Sequence, residues 1–213
     1  PMKPDASFWN AVAEKYAADP IGDMAAYEYT LGRTRSYLST TDKVIELGAG
    51  TSSTALALAP GVARYLATDI SSEMVRIGRE KLADAEIDTL DIEVGGFDTP
   101  AYQGAGFDAV LAFNVLHLVP DIPRALKSAA GMLRPGGLLI TKTVCLGSRS
   151  LPMRTVFKTM IAGMQAFGKA PKPVHFPTVG GMDRHVIAAG FDLLETGNYP
   201  AKAPSRYIVA RKR

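Results

Sequence analysis

Hydrophobic and polar positions along the chain follow two alternating rhythms. From residue 43 onward, short aliphatic and β-branched runs are separated by longer stretches in which apolar residues recur every three or four positions, the pattern of βαβ units in a parallel sheet. The strand-like runs are Lys43–Leu47, Val62–Ile70, Ile87–Gly95, Phe107–Phe113 and Leu138–Val144. A first helix is predicted over Thr51–Ala59, closed by Pro60-Gly61. A second runs from Ser71 or Ser72 to about Ala85, with Met74, Gly78, Leu82 and Ala85 on one face. The next opens at Asp121-Ile122-Pro123, where proline is tolerated because the first-turn N–H has no partner, and it stops near Leu133 before the turn Pro135-Gly136-Gly137. At the far end, Phe191–Thr196 and Arg206–Ala210 leave no room for a helix between them, so they predict an antiparallel hairpin added to the sheet.

Two segments break this rhythm. Residues 1–40 read as helical, with Trp9, Val12, Ala13 and Tyr16 on one face. Residues 146–180 separate the fifth strand from the last helix, and hold Met153, Val156, Phe157, Met160, Ile161, Met164 and Phe167 at helical spacing before a Lys/Pro-rich loop, Lys169 to Pro177. That apolar stripe fits core, a substrate cap or a membrane-facing helix; the cap is favoured, and Arg154, Lys158, Lys169 and Lys172 beside it keep an anionic bilayer in view.

Composition narrows the class. A chain of 213 residues, 47% apolar and 21% charged, suits one buried core and excludes collagenous, disordered and disulfide-stapled proteins. The single Cys145 forms no internal bridge, and with neither a secretory segment nor a run of spanning length the expected setting is reducing and cytoplasmic. Three scattered histidines with one cysteine have no metal-ligand spacing, so no metal is assigned. The net charge of +3 conceals an asymmetry: residues 1–141 carry 12 Lys/Arg against 18 Asp/Glu, and residues 142–213 carry 12 against 3. Of the basic part, Arg149, Arg154, Lys158, Lys169 and Lys172 fall in the 146–180 insertion and favour an anionic or membrane-associated acceptor.

The chemistry concentrates at Glu46-Leu47-Gly48-Ala49-Gly50-Thr51, where the first strand turns into a helix. Glycines permit the tight turn and close approach of a ligand, and the helix start offers free N–H groups. Asp69 follows Gly50 by 19 positions at the end of the next strand, the spacing at which a carboxylate reaches ribose hydroxyls. The dinucleotide fingerprint would require a third glycine where Ser53 stands, and Glu46 repels a phosphate but suits an ammonium group.

These residues, with Thr68 to Met74, Phe107 to His117 and Leu133-Arg134-Pro135-Gly136-Gly137-Leu138, resemble the class I S-adenosylmethionine-dependent methyltransferases of small-molecule type over nearly all of residues 43–213. The resemblance implies an α/β fold, a Rossmann-like three-layer sandwich around a mostly parallel seven-stranded sheet with a C-terminal antiparallel hairpin. It implies a single domain over residues 1–213, made of an N-terminal helical lid (1–40), a cofactor-binding core (43–145), an inserted helical cap (146–180) and a last helix with the hairpin (181–213). The cofactor would be S-adenosyl-L-methionine. Glu46, Gly48, Ala49, Gly50 and Thr51 would surround its methionine part, Asp69 its ribose, Ile70 and Met74 its adenine, and Asn114 its methionine arm. The chain departs from the pattern at Ser52, where a third glycine is usual, and at Gly96, where an aspartate is frequent; Phe97 and Asp98 would take over adenine contact. Of the aromatics on the lid, Tyr16, Tyr27 and Tyr29, Tyr16 would shield the sulfonium, the alternative being that they pack the helix on the core.

The expected reaction is in-line transfer of the sulfonium methyl to a small, partly apolar or anionic acceptor, driven by alignment in a dry pocket. If the acceptor must lose a proton, the candidate bases are His117, Tyr29 and His175, in falling order, although a structural hydrogen-bonding role is the favoured reading of His117 and a solvated loop position that of His175. Rival readings are a nicotinamide-dependent oxidoreductase, a nucleic-acid methyltransferase and a non-catalytic cofactor-binding interaction domain. The second is disfavoured because Phe113-Asn114-Val115-Leu116 lacks an Asn/Asp-Pro-Pro-aromatic run, Cys145 lacks a preceding proline, and the basic residues are not interleaved with an aromatic platform.

Overall fold

The structure is a computed structural model that describes residues 5–202 and 204–213; residues 1–4 of the predicted lid lie outside the described residues. Seven strands form one sheet in the order β3-β2-β1-β4-β5-β7-β6. They are β1 (Lys43–Leu47), β2 (Arg64–Asp69), β3 (Leu90–Val94), β4 (Phe107–Phe113), β5 (Leu133–Val144), β6 (Phe191–Asn198) and β7 (Ser205–Lys212). The first five pair in parallel, and β7 inserts antiparallel between β5 and β6. The predicted architecture is therefore the observed one.

Seven α-helices are found among the described residues: α1 (Ala6–Ala18), α2 (Met24–Tyr37), α3 (Ser53–Leu58), α4 (Ser72–Ala83), α5 (Ile122–Met132), α6 (Leu151–Ala166) and α7 (Val179–Ala188). Polar side chains start most of them by accepting an orphan backbone N–H, as Asp5, Asp23, Ser71, Asp121 and Thr178 do for α1, α2, α4, α5 and α7. Alternate residues of the central strands feed opposite faces: Ile45, Val110 and Leu139 pack toward Leu126, Met132 and Val186, whereas Val44, Leu111 and Ile140 pack toward Leu58, Tyr65 and Tyr207. Cys145 is buried, as a small core residue.

Three predicted elements change on inspection. The helix placed over Thr51–Ala59 is only Ser53–Leu58, followed by a 3₁₀ turn at Ala59–Gly61. Likewise α4 ends at Ala83, leaving Ala85 exposed. The fifth strand begins at Leu133 and not at Leu138: Leu133 pairs with Phe107 and Leu138 with Ala109, so Arg134 to Gly137 loop out opposite Asp108 alone. Arg134 Nε holds that bulge by donating to Asp108 Oδ1 at 2.6 Å.

The larger correction concerns the insertion. α6 forms as predicted, but none of its residues is buried, and Met153, Val156, Met160 and Met164 turn outward with Phe167, which is 81% exposed. The stripe does not cover the cofactor side of the sheet; from residues 146–180 only Pro171 and Lys172 reach the cleft described next.

Candidate functional site

A cleft of about 1140 Å³ opens where β1, β2 and β4 end. This is where an open parallel sheet places ligands, because the loops leaving the strand ends diverge there. Its floor is the turn after β1. Gly48 lies at φ +72°, and a Cβ there would stand 2.5 Å from Val115 Cγ2, so both the conformation and the contact require glycine. Gly50, at φ +56°, approaches the Tyr16 ring, whose Cε1 would lie 3.6 Å from an added Cβ. Ser52 also takes a left-handed conformation, φ 60°, in the place of the usual third glycine, and the absence of a Cβ on Gly78 of α4 makes room for its side chain.

Two buried carboxyls face this turn. Tyr65 donates its hydroxyl to Glu46 Oε2 at 2.8 Å, yet burial raises the Glu46 carboxyl to about 7 in spite of that bond. Asp69 Oδ2 accepts from Gly50 N and Oδ1 from Ser71 N, both at 2.9 Å, which pins the glycine turn to the end of β2. Burial nevertheless pushes the Asp69 carboxyl up. Among the described residues neither carboxyl has a cation in an ion pair. Such a donor set fits a ligand that brings both a cationic group and hydroxyls.

All the predicted cofactor-side residues line the cleft: Tyr16, Glu46, Gly48, Ala49, Gly50, Thr51, Asp69, Ile70, Met74, Phe97, Asp98 and Asn114. Asn114 holds φ 54°, and its N–H donates to Lys142 O at 2.7 Å, fixing the departure of the chain from β4. Burial and the neighbouring Asp69 and Glu46 raise the Tyr16 phenol, so it stays protonated. Gly96 leaves room for Ile70, whose Cγ2 would lie 3.1 Å from an added Cβ.

The three candidate bases do not reach the cleft lining. His117 points into the protein, its Nδ1 buried without a partner, and burial with the nearby His175 lowers it to about 4. His175 straps the Lys/Pro-rich loop onto the β4–α5 connection: its N–H donates to His117 O at 2.7 Å and its Nε2 lies 2.8 Å from Val119 O. Tyr29 is exposed and accepts from Tyr199 at 3.4 Å, outside the cleft lining although Tyr27 of the same helix belongs to it. The sequence reading placed His117 by its position after β4, and that position gave no sign of which way the ring turns.

Tyr27, an aromatic candidate of the N-terminal segment, lines the cleft, and several residues without a sequence assignment join it. Trp9, Tyr27 and the α1–α2 linker with Ile21 close one side, and Leu118 to Asp121 with Arg124 close the other. Aromatic residues in a lid were a visible signal for Trp9 and Tyr27; the linker carried none. Asn10 ties this lid down: its Oδ1 accepts from Ser71 Oγ at 2.6 Å and from Glu73 N at 3.3 Å, at the capped start of α4.

Comparison with known proteins fits this geometry. Residues 45–139, from within β1 to within β5, match the family model described as Methyltransferase domain. The non-reducing polyketide synthase mapC of Penicillium brevicompactum is 30% identical over 151 residues, 63% of this chain and 6% of that protein. A structure from Thermotoga maritima, titled as an S-adenosylmethionine-dependent methyltransferase and possible histamine N-methyltransferase, superposes with a TM-score of 0.70 at 20% identity, covering 97% of this chain and 99% of that one. The CurJ carbon methyltransferase superposes with a TM-score of 0.60 at 19% identity, covering 81% and 49%. Residues 45–139 thus match a methyltransferase-domain model, and the superpositions show that the whole chain shares a Rossmann-like fold with these structures. The chain spans only a few per cent of the length of the polyketide synthases it matches, 6% for mapC and 5% for the highly reducing synthase Preu5 of Preussia isomera.

Proposed function

We propose that the protein transfers the methyl group of S-adenosylmethionine to a small, partly apolar acceptor. The observation that carries this reading is the pair of buried carboxyls, Glu46 and Asp69, set without cations on either side of a glycine turn in the cleft. Glu46 would hold the cofactor's ammonium and Asp69 its ribose hydroxyls, with Ile70, Met74 and Phe97 against the adenine. When bound, the cofactor supplies an electrophilic methyl on a sulfonium. The chain's own residues hold the partners in line and keep water out: Trp9, Tyr16 and Tyr27 from the lid, and Leu118 to Pro120 from the opposite loop. No lining histidine is available as a base, so an acceptor that is already nucleophilic at neutral pH fits best.

A second reading concerns the acceptor atom. The polyketide synthases among the relatives and the likeness to a carbon methyltransferase favour an acyl chain methylated on carbon. Labelled methyl transfer to a panel of amines, phenols, thiols and acyl thioesters, with the product's methyl located by carbon NMR, separates the two.

Calorimetry tests the shared premise. S-adenosylmethionine and S-adenosylhomocysteine should bind the folded protein with one site, Glu46→Gln should weaken both about tenfold or more, and reduced nicotinamide cofactor should not bind. Failure of both adenosyl ligands to bind well-folded protein would end the reading.

A further inference from the structure

The outward face of α6 is an exposed apolar feature outside the cleft. Met153, Val156, Met160, Met164 and Phe167 follow one another at spacings of three or four and form a single straight ridge, every member exposed. Phe157 and Ile161, partly buried, sit beside the ridge on the side that meets the body of the protein, so the helix uses only half of its apolar arc for packing. The charge of the stretch that carries the ridge is one-signed. Between Asp121 and Asp183 the chain has no Asp or Glu, and Arg149, Arg154, Lys158 and Lys169 lie in or next to α6. None of these four cations forms an ion pair among the described residues, although Arg149 stacks over Phe157 and Lys158 over Phe176.

We infer that α6 is an interfacial helix whose apolar ridge lies in the surface of an anionic lipid bilayer. A convex row of methionine and aromatic side chains with cations alongside is the shape a bilayer interface accepts, since apolar groups enter the acyl boundary while Lys and Arg stay among the anionic headgroups. A second copy of the chain fits less well, because the stretch carrying the ridge has no acidic residue to offer the cations of its mate. Spanning is excluded for α6, because no described helix is long and apolar enough to cross a membrane. The helix also stands near the active cleft, as Pro171 and Lys172 a few residues beyond its end form part of the cleft wall. Docking there would hold the cleft at a surface where a partly apolar acceptor concentrates. Binding to the bilayer itself does not depend on the methyl-transfer reading.

The test is co-sedimentation of the full chain with vesicles of phosphatidylcholine alone and of phosphatidylcholine with about one-third phosphatidylglycerol. The protein should partition to the anionic vesicles, weakly or not at all to the neutral ones, and should be released by high salt. Met160→Ser with Phe167→Ser, both at exposed positions, should leave thermal unfolding unchanged and lower partitioning about a hundredfold, roughly tenfold for each apolar side chain withdrawn from the interface. Lys158→Ala with Lys169→Ala should lower it about tenfold. In a Phe167→Trp variant, emission should shift to the blue with anionic vesicles. Absence of binding to anionic vesicles at low salt overturns the proposal, as does binding that the Met160/Phe167 pair leaves unchanged. A wild-type dimer that the same pair dissociates would assign the ridge to a second copy, and an acidic protein partner would likewise leave the vesicles unbound.

Discussion

Ser52 stands in a left-handed conformation, φ 60°, which costs an L-residue about 1 kcal/mol relative to glycine. Its Oγ is buried without a partner and would lie 2.7 Å from a Cβ on Gly78, with its own Cβ at 3.2 Å. The turn and α4 have therefore divided the space between them: a serine is possible in the turn because a glycine faces it from the helix. This coupling makes a sharp prediction. Alanine for glycine inside a helix ordinarily gains about 1 kcal/mol, but Gly78→Ala alone should give no stabilisation because Ser52 obstructs it. Ser52→Gly should stabilise slightly by relieving the backbone, and Ser52→Gly with Gly78→Ala should exceed the sum of the two by about 0.5 kcal/mol or more. Thermal melts of the four proteins decide it, and a Gly78→Ala protein that melts higher by itself would show that the two sites are independent.

Helix α1 buries a single residue, Ala13, which packs with Trp9 and Ala17 on Met74 and Ile77 of α4, and Asn10 at the α4 cap and a salt bridge from Arg76 to Glu14 add polar ties. A terminal helix joined to the body through one small apolar cluster opens locally at a cost below global unfolding. Asn10→Ala should thus accelerate amide exchange across Ala6–Ala18 while leaving the melting temperature nearly unchanged, and should weaken adenosyl-ligand binding several-fold, because Trp9 and Tyr16 form part of the cleft. Unchanged exchange would mean that apolar packing alone holds the lid. Elements of the sheet and the helices against it were legible in the sequence because burial imposes a period of two or three to four on their residues. The start of β5 was not, since a looped-out Arg134–Gly137 stretch looks like an ordinary Pro-Gly turn until the pairing of Leu133 with Phe107 is seen. The direction of the α6 stripe was equally hidden: periodicity tells that apolar residues share a face, not what that face meets. Glu46, Gly48, Gly50 and Asp69 could be placed because strand ends and glycine turns fix geometry locally, whereas His117 and Tyr29 depended on side-chain direction and on a distant neighbour, Tyr199.

Across the whole molecule the charge separates by place. The cleft is lined by six carboxyl groups, Asp5, Asp19, Glu46, Asp69, Asp98 and Asp121, against Arg124 and Lys172, while the side bearing α6 is cationic. An acidic cleft attracts a ligand carrying an ammonium and a sulfonium, and it repels itself when empty. Glu46 shows the cost most clearly. Its carboxyl, raised by burial from an ordinary 4.5 to about 7, binds a proton in the folded protein over a pH range in which the unfolded chain has lost it. Stability therefore falls as pH rises from about 4.5 to about 7, by on the order of 3 kcal/mol from this group at neutral pH. Burial raises Asp69 as well, so its contribution has the same sign. A cation seated against Glu46 reverses the balance, because it favours the ionised form and must displace the proton to bind. The melting temperature of the ligand-free protein should hence decline between pH 5 and about 7.5, the increase produced by S-adenosylhomocysteine should grow over the same interval, and binding should release up to one proton near neutral pH, measurable by calorimetry in buffers of different ionisation enthalpy. Glu46→Gln should flatten both the decline and the growth of the ligand effect. If the ligand's stabilisation kept a constant size from pH 5 to about 7.5 in the unmodified protein, Glu46 would not be the group that meets its cation.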